Sequence, residues 1–83
     1  MKVQVKVRLF AALREIVGQD ALDVELDPGT TVSGLWENLV KGNNRLSPYG
    51  KSIQFAVNHD FVPRETELAT GDEVAFLPPV SGG

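Results

Sequence analysis

Apolar and polar residues alternate strictly from Val3 to Leu9, with Val3, Val5, Val7 and Leu9 on one parity and Gln4, Lys6 and Arg8 on the other. Period two is the repeat of a strand with one face on a core and the other toward water, so the pattern predicts a strand over residues 3–9 with its odd positions inward. The spacing then becomes helical. Ala12, Leu13, Ile16 and Val17 predict a helix of about two turns over 11–17, stopped by Gly18 as a C′ glycine. Leu22, Val24 and Leu26 return to period two against Asp23, Glu25 and Asp27, a second strand that leaves through the turn Asp27-Pro28-Gly29.

Val32, Leu35, Trp36, Leu39 and Val40 fall on one helical face and predict the main helix, capped by Thr30 or Thr31 and closed at Gly42. Residues 43–51 are polar, contain Pro48 and Gly50, and read as a surface loop. Ile53, Phe55 and Val57 predict a third long strand, Asn58, His59 and Asp60 a tight turn, and Phe61-Val62 a brief edge strand ended by Pro63. Little regular structure is expected over 64–70. After the turn Thr70-Gly71-Asp72, residues 73–77 predict a final strand with Val74 and Phe76 inward, halted by Pro78-Pro79, which have no backbone N–H to donate.

Strands at both ends and one long helix with an apolar stripe predict an α+β domain, a mixed sheet with the helix packed on one face. Eighty-three residues hold one such domain, which buries only about 60% of its unfolded surface and leaves no room for a deep catalytic cavity. Charge agrees with pairing of the first and last strands. Residues 1–14 carry four basic groups and no acid, whereas 60–73 carry five acids against one arginine.

Composition narrows the chemistry. With no cysteine there is no disulfide, thiolate metal site, nucleophilic thiol or side-chain persulfide, and His59 alone cannot build a histidine metal cluster. A net charge of −3 argues against nucleic acid. No apolar run approaches the roughly 20 residues that span a bilayer, so a cytoplasmic location without membrane contact is expected. Asp20, Asp23, Glu25 and Asp27 read as a solvated strand face, His59 as a turn residue and Trp36 as core.

What remains is the chain end. Pro78 and Pro79 direct residues 78–83 away from a domain spanning 1–77, and six extended residues reach about 20 Å, enough to thread a narrow channel in another protein. Gly82 and Gly83 keep that passage slim and leave the main-chain carboxylate as the available reactive group. By strand parity Phe10, Ala56, Ala75 and Leu77 face away from the main helix, an apolar spot rimmed by Lys6, Arg8 and Glu73 that Phe61 can join.

Three stretches carry a family resemblance: Phe10-Ala11-Ala12-Leu13-Arg14-Glu15, Ala56-Val57-Asn58, and above all Gly71-Asp72-Glu73-Val74-Ala75-Phe76-Leu77-Pro78-Pro79-Val80-Ser81-Gly82-Gly83. The chain resembles, over its whole length, the small, sulfur-carrying subunits of molybdopterin synthase. The resemblance implies the ubiquitin-like β-grasp fold and a chain that is not catalytic alone. It implies that Gly83 is adenylated with ATP by a ubiquitin-activating-type enzyme, converted to a thiocarboxylate, and used to donate sulfur to a cyclic pyranopterin precursor in molybdenum cofactor biosynthesis. No cofactor is then bound permanently, and the sulfur is covalent on Gly83. Pro78, Pro79, Val80 and Ser81 match the threading tail, Gly82 and Gly83 the transfer end, and Phe10, Phe61 and Leu77, with Ala56 and Ala75 beside them, the interface with the large subunit of a heterotetramer. Val62-Pro63-Arg64-Glu65 resembles instead the thiamine-pathway sulfur carrier, and a ubiquitin-like modifier would use the same carboxylate.

Overall fold

In the computed structural model, which describes residues 2–78, the first alternating stretch forms β1 (Val3–Leu9) and its successor α1 (Ala11–Val17). They are followed by β2 (Ala21–Leu26), α2 (Val32–Gly42), a 3-10 helix (Asn44–Tyr49), β3 (Gln54–Val57), β4 (Asp60–Phe61) and β5 (Glu73–Leu77). The strands form one mixed sheet in the order β2-β1-β5-β3-β4. β1 pairs antiparallel with β2 and parallel with β5, from Lys6↔Glu73 to Leu9↔Phe76, so the first and last strands lie together at its centre. β3 runs antiparallel to both β5 and β4.

The core lies between α2 and one face of the sheet, where Val5, Val7, Leu9, Leu26, Phe55, Val74 and Phe76 meet Val32, Leu35, Trp36 and Leu39. Thr31 starts α2: its Oγ1 accepts a hydrogen bond from the Gly34 N–H at 3.1 Å, satisfying one of the donors a helix leaves open at its N-terminus. Phe76 is the pivot of the aromatic packing, 5.3 Å from Trp36 and 5.4 Å from Phe55 between ring centroids.

The structure changes the expected layout in three places. Residues 43–51, expected to be loop, hold the 3-10 helix, because Leu46 turns inward and is fully buried among polar neighbours that stay outside. Gly42 is the last residue of α2 and Asn43 its cap; the Asn43 N–H reaches the carbonyls of Leu39 and Val40. β4 forms at Asp60–Phe61, one residue earlier than the pattern suggests. Asn58 and His59, both with positive φ, make the two-residue loop that reverses the chain between Val57 and Asp60.

The entry of β5 is tied down from two sides. The Gly71 N–H donates to the Gln4 carbonyl at 2.9 Å, and the Glu73 N–H donates to Asn58 Oδ1 at 3.0 Å. Asp72 accepts from the Ala69 N–H and from Asn58 Nδ2 at 2.8 and 3.0 Å. These bonds fix the register of β5 and therefore where the chain leaves the sheet.

Candidate docking surface at the exit of the last strand

The register turns the outer face of the sheet into rows. Arg8 stands between Ala21 on β2 and Ala75 on β5, and the row continues through Ala56 on β3 to Phe61 on β4. One step toward the chain exit, Leu77 lies opposite Gln54, and Phe10 follows Leu9, which pairs with Phe76, so Phe10 and Leu77 stand at the same level. One step the other way lie Asp23, Lys6 and Glu73. The face therefore grades from charged at the entry of β5 to apolar at its exit.

Phe61 is 70% exposed and Phe10 39%, the large apolar side chains that the described residues leave in water. Ala75 and Leu77 are half-buried, as is Pro78, the last described residue. Ala56 corrects the sequence expectation: it is on the outer face, outside the core cluster, yet only 6% exposed. A methyl side chain set between its register partners Ala75 and Phe61 has no room to reach solvent, so Ala56 supports the patch from below. Pro79, Val80, Ser81, Gly82 and Gly83, the expected threading tail and transfer end, lie outside the described residues.

Other candidates fall into place as structural residues. Asp20, Asp23, Glu25 and Asp27 are exposed, His59 is in the β3–β4 turn, and Trp36 is in the core. Asp27 pairs with Lys2 across the open ends of β2 and β1; that hydrogen bond, with its Coulomb attraction, holds the Asp27 carboxyl below its ordinary range and the Lys2 ammonium above its own. Arg8 Nη1 lies 3.4 Å from Glu73 Oε2, joining the basic first strand to the acidic last one. Strand parity alone puts Arg8 on the rim of the apolar spot; the register brings it into the row of alanines. Among the described residues no cluster of His, Cys, Asp or Glu could hold a metal ion, and no helix is long and apolar enough to cross a membrane.

A mixed sheet wrapped over one main helix, with its last strand central and parallel to its first, defines a ubiquitin-like β-grasp domain. The chain belongs to the ThiS family, whose sequence profile matches residues 7–83. It is 41% identical over 81 residues to the molybdopterin synthase sulfur carrier subunit of Escherichia coli K12, covering 95% of this chain and 99% of that one. Among solved structures it is similar to a putative molybdopterin converting factor subunit 1 from Pyrococcus furiosus, at 34% identity and TM-score 0.84, over 94% of this chain and 99% of that one. Small archaeal modifier protein 1 from Methanosarcina acetivorans is 30% identical with TM-score 0.82, over 100% and 99% of the two chains.

Proposed function

We propose that this protein is the sulfur-carrier subunit of a molybdopterin synthase and that its reactive group is the carboxyl of Gly83. The observation that carries this reading is the coincidence of three things at one edge of the molecule. β5 ends there, Phe10 and Leu77 flank the exit, and the residues that follow, Pro78 to Gly83, match the carrier tail. A partner that covers the apolar end of the outer face also receives the tail. A cysteine-free chain fits, because a main-chain carbonyl holds the sulfur.

The chemistry follows from what a carboxylate lacks. It is a poor electrophile, so an oxygen of Gly83 first attacks the α-phosphorus of ATP on a ubiquitin-activating-type enzyme, releasing pyrophosphate and leaving an acyl adenylate. Sulfide-level sulfur from a donor then adds to the carbonyl carbon and AMP leaves with the bonding pair. The resulting thiocarboxylate is anionic and nucleophilic at neutral pH for the same reason as a thiolate. Docked on the large subunit, its sulfur bonds to a carbon of the cyclic pyranopterin precursor and displaces an oxygen substituent there; water then adds at the Gly83 carbonyl, the sulfur leaves on the pterin, and the carboxylate returns. Two sulfurs per dithiolene account for two small subunits in a heterotetramer.

The test is intact-mass spectrometry of the full chain produced together with its adenylating enzyme and a sulfur donor. A species heavier by the difference between sulfur and oxygen is expected, and removal of Gly83 abolishes it; a wild-type chain that never gains this mass overturns the reading. The similarity to an archaeal modifier protein favours one competing reading, conjugation of the same carboxyl to lysines. It predicts, in a tryptic digest of total protein, lysine isopeptides that carry Glu65 to Gly83, since Arg64 is the last tryptic site before the terminus; the carrier reading does not require them.

A further inference from the structure

Arg8 stands where the outer face changes from charged to apolar. Its row is otherwise Ala21, Ala75, Ala56 and Phe61, so a permanent cation is set among short apolar side chains. The contact that restrains it is long: Nη1 to Glu73 Oε2 is 3.4 Å, and the two side chains remain 41% and 34% exposed. Its Nε is buried and finds no acceptor among the described residues. An N–H in that condition has lost water and gained nothing, so the resting rotamer is a poor well that the side chain leaves at little cost.

A partner face laid on Phe10, Phe61 and Leu77 strips the remaining water from this guanidinium. Glu73 accepts from Nη1, and Nε has no acceptor among the described residues, so the side-on edge formed by Nε and Nη2 is the one a new acceptor would take. A purely apolar partner would strand the charge and bind weakly; a partner with a carboxylate amid its apolar residues would satisfy both donors in one bidentate bond. We propose that Arg8 is a specificity-determining residue of the docking surface, turning away from Glu73 to fork a carboxylate presented by the partner. This rests on the docking reading above. It selects among apolar-faced partners by rejecting those without an acid at that point.

The experiment is titration calorimetry of the full chain with the large subunit of the molybdopterin synthase from the same source, at low and high salt, using Arg8→Gln, Arg8→Lys, Glu73→Gln and Leu77→Glu. Arg8→Gln and Arg8→Lys should each weaken binding tenfold or more, because neither supplies the fork. Arg8→Gln should also flatten the salt dependence of the affinity. Glu73→Gln should leave binding unchanged or tighten it, since it frees Arg8 and removes a carboxylate that would repel the partner's own. Thermal unfolding of each variant checks that the domain is intact. If Leu77→Glu abolishes binding while Arg8→Gln leaves it as in wild type, the role of Arg8 is overturned and the docking surface stands. If Glu73→Gln weakens binding as much as Arg8→Gln, what matters is the internal pair and the inference fails. If Leu77→Glu and Arg8→Gln are both without effect, the docking reading fails and the inference with it.

Discussion

Trp36 of α2 and Phe76 of β5 meet with ring centroids 5.3 Å apart and planes tilted by 53°, which joins the main helix to the central strand. Phe76 is fully buried and also meets Phe55 edge to face, so its ring is shared by helix, central strand and neighbouring strand. Replacing it by alanine removes a large transfer contribution and opens a cavity that neither aromatic partner can fill. Phe76→Ala should lower stability by about 3–5 kcal/mol, a large share of what a domain of this size has. Urea unfolding followed by Trp36 fluorescence is the measurement, and a loss under about 1 kcal/mol would show that the core does not depend on this ring.

Backbone conformation supplies a pair of predictions of opposite sign. Gly71 has φ +95 with open space around a would-be Cβ, so Gly71→Ala should cost about 1–2 kcal/mol through the backbone alone. Ala11, the first residue of α1, sits at φ 51, where an L side chain is itself strained. Ala11→Gly should therefore stabilise the domain by up to about 1 kcal/mol, against the usual penalty for glycine near a helix. Denaturant midpoints of the two variants, compared with wild type, should move in opposite directions.

The Lys2–Asp27 pair sets a pH dependence. The carboxyl of Asp27 is held below its unfolded value, so its contribution is present above the ordinary carboxylate range and is lost as pH falls through the folded value. For Lys2, held above its ordinary value, the contribution is present below that value and lost as pH rises through the folded one. Asp27→Asn should thus be slightly less stable than wild type at pH 7 and indistinguishable from it in strong acid. Urea midpoints at the two pH values check this; a gap that persists in acid would assign the effect to something other than the ion pair.

Phe10 separates folding from docking. It is the N-cap residue of α1 and makes no side-chain cap bond, whereas aspartate is among the best N-caps. In Phe10→Asp the lost apolar contact and the gained cap each amount to about 1 kcal/mol, so the unfolding midpoint of the isolated domain should move little. Binding to the large subunit should weaken by about 2 kcal/mol or more if Phe10 is one of the anchors. Collapse of the isolated domain would show that Phe10 belongs to the core.

Most of the fold is legible in the spacing of apolar residues. The inward valines of β1 and the stripe from Val32 to Val40 announce their elements because each repeats several times, and the Val74–Phe76 pair is framed by a turn before it and two prolines after it. The charge contrast between the chain ends also points correctly to β1 beside β5, and the Arg8–Glu73 contact is its direct expression. The 3-10 helix is hidden, since one apolar residue, Leu46, carries its inward face and a single point has no period. Ala56 shows the other limit. Parity gives the face a residue is on, but how much of it solvent reaches depends on neighbours across the ladder, here Ala75 and Phe61. The Nε of Arg8, without an acceptor among the described residues, has no sequence signature, because the alanines beside Arg8 come from separate strands.

The parallel pairing of β1 with β5 has a consequence in time. The strand made last is the one that fills the middle of the sheet, so an emerging chain has neither its complete outer face nor its core until residues 73–77 have left the ribosome. Folding therefore closes the sheet from its middle, and the outer face and the core are completed by one and the same strand.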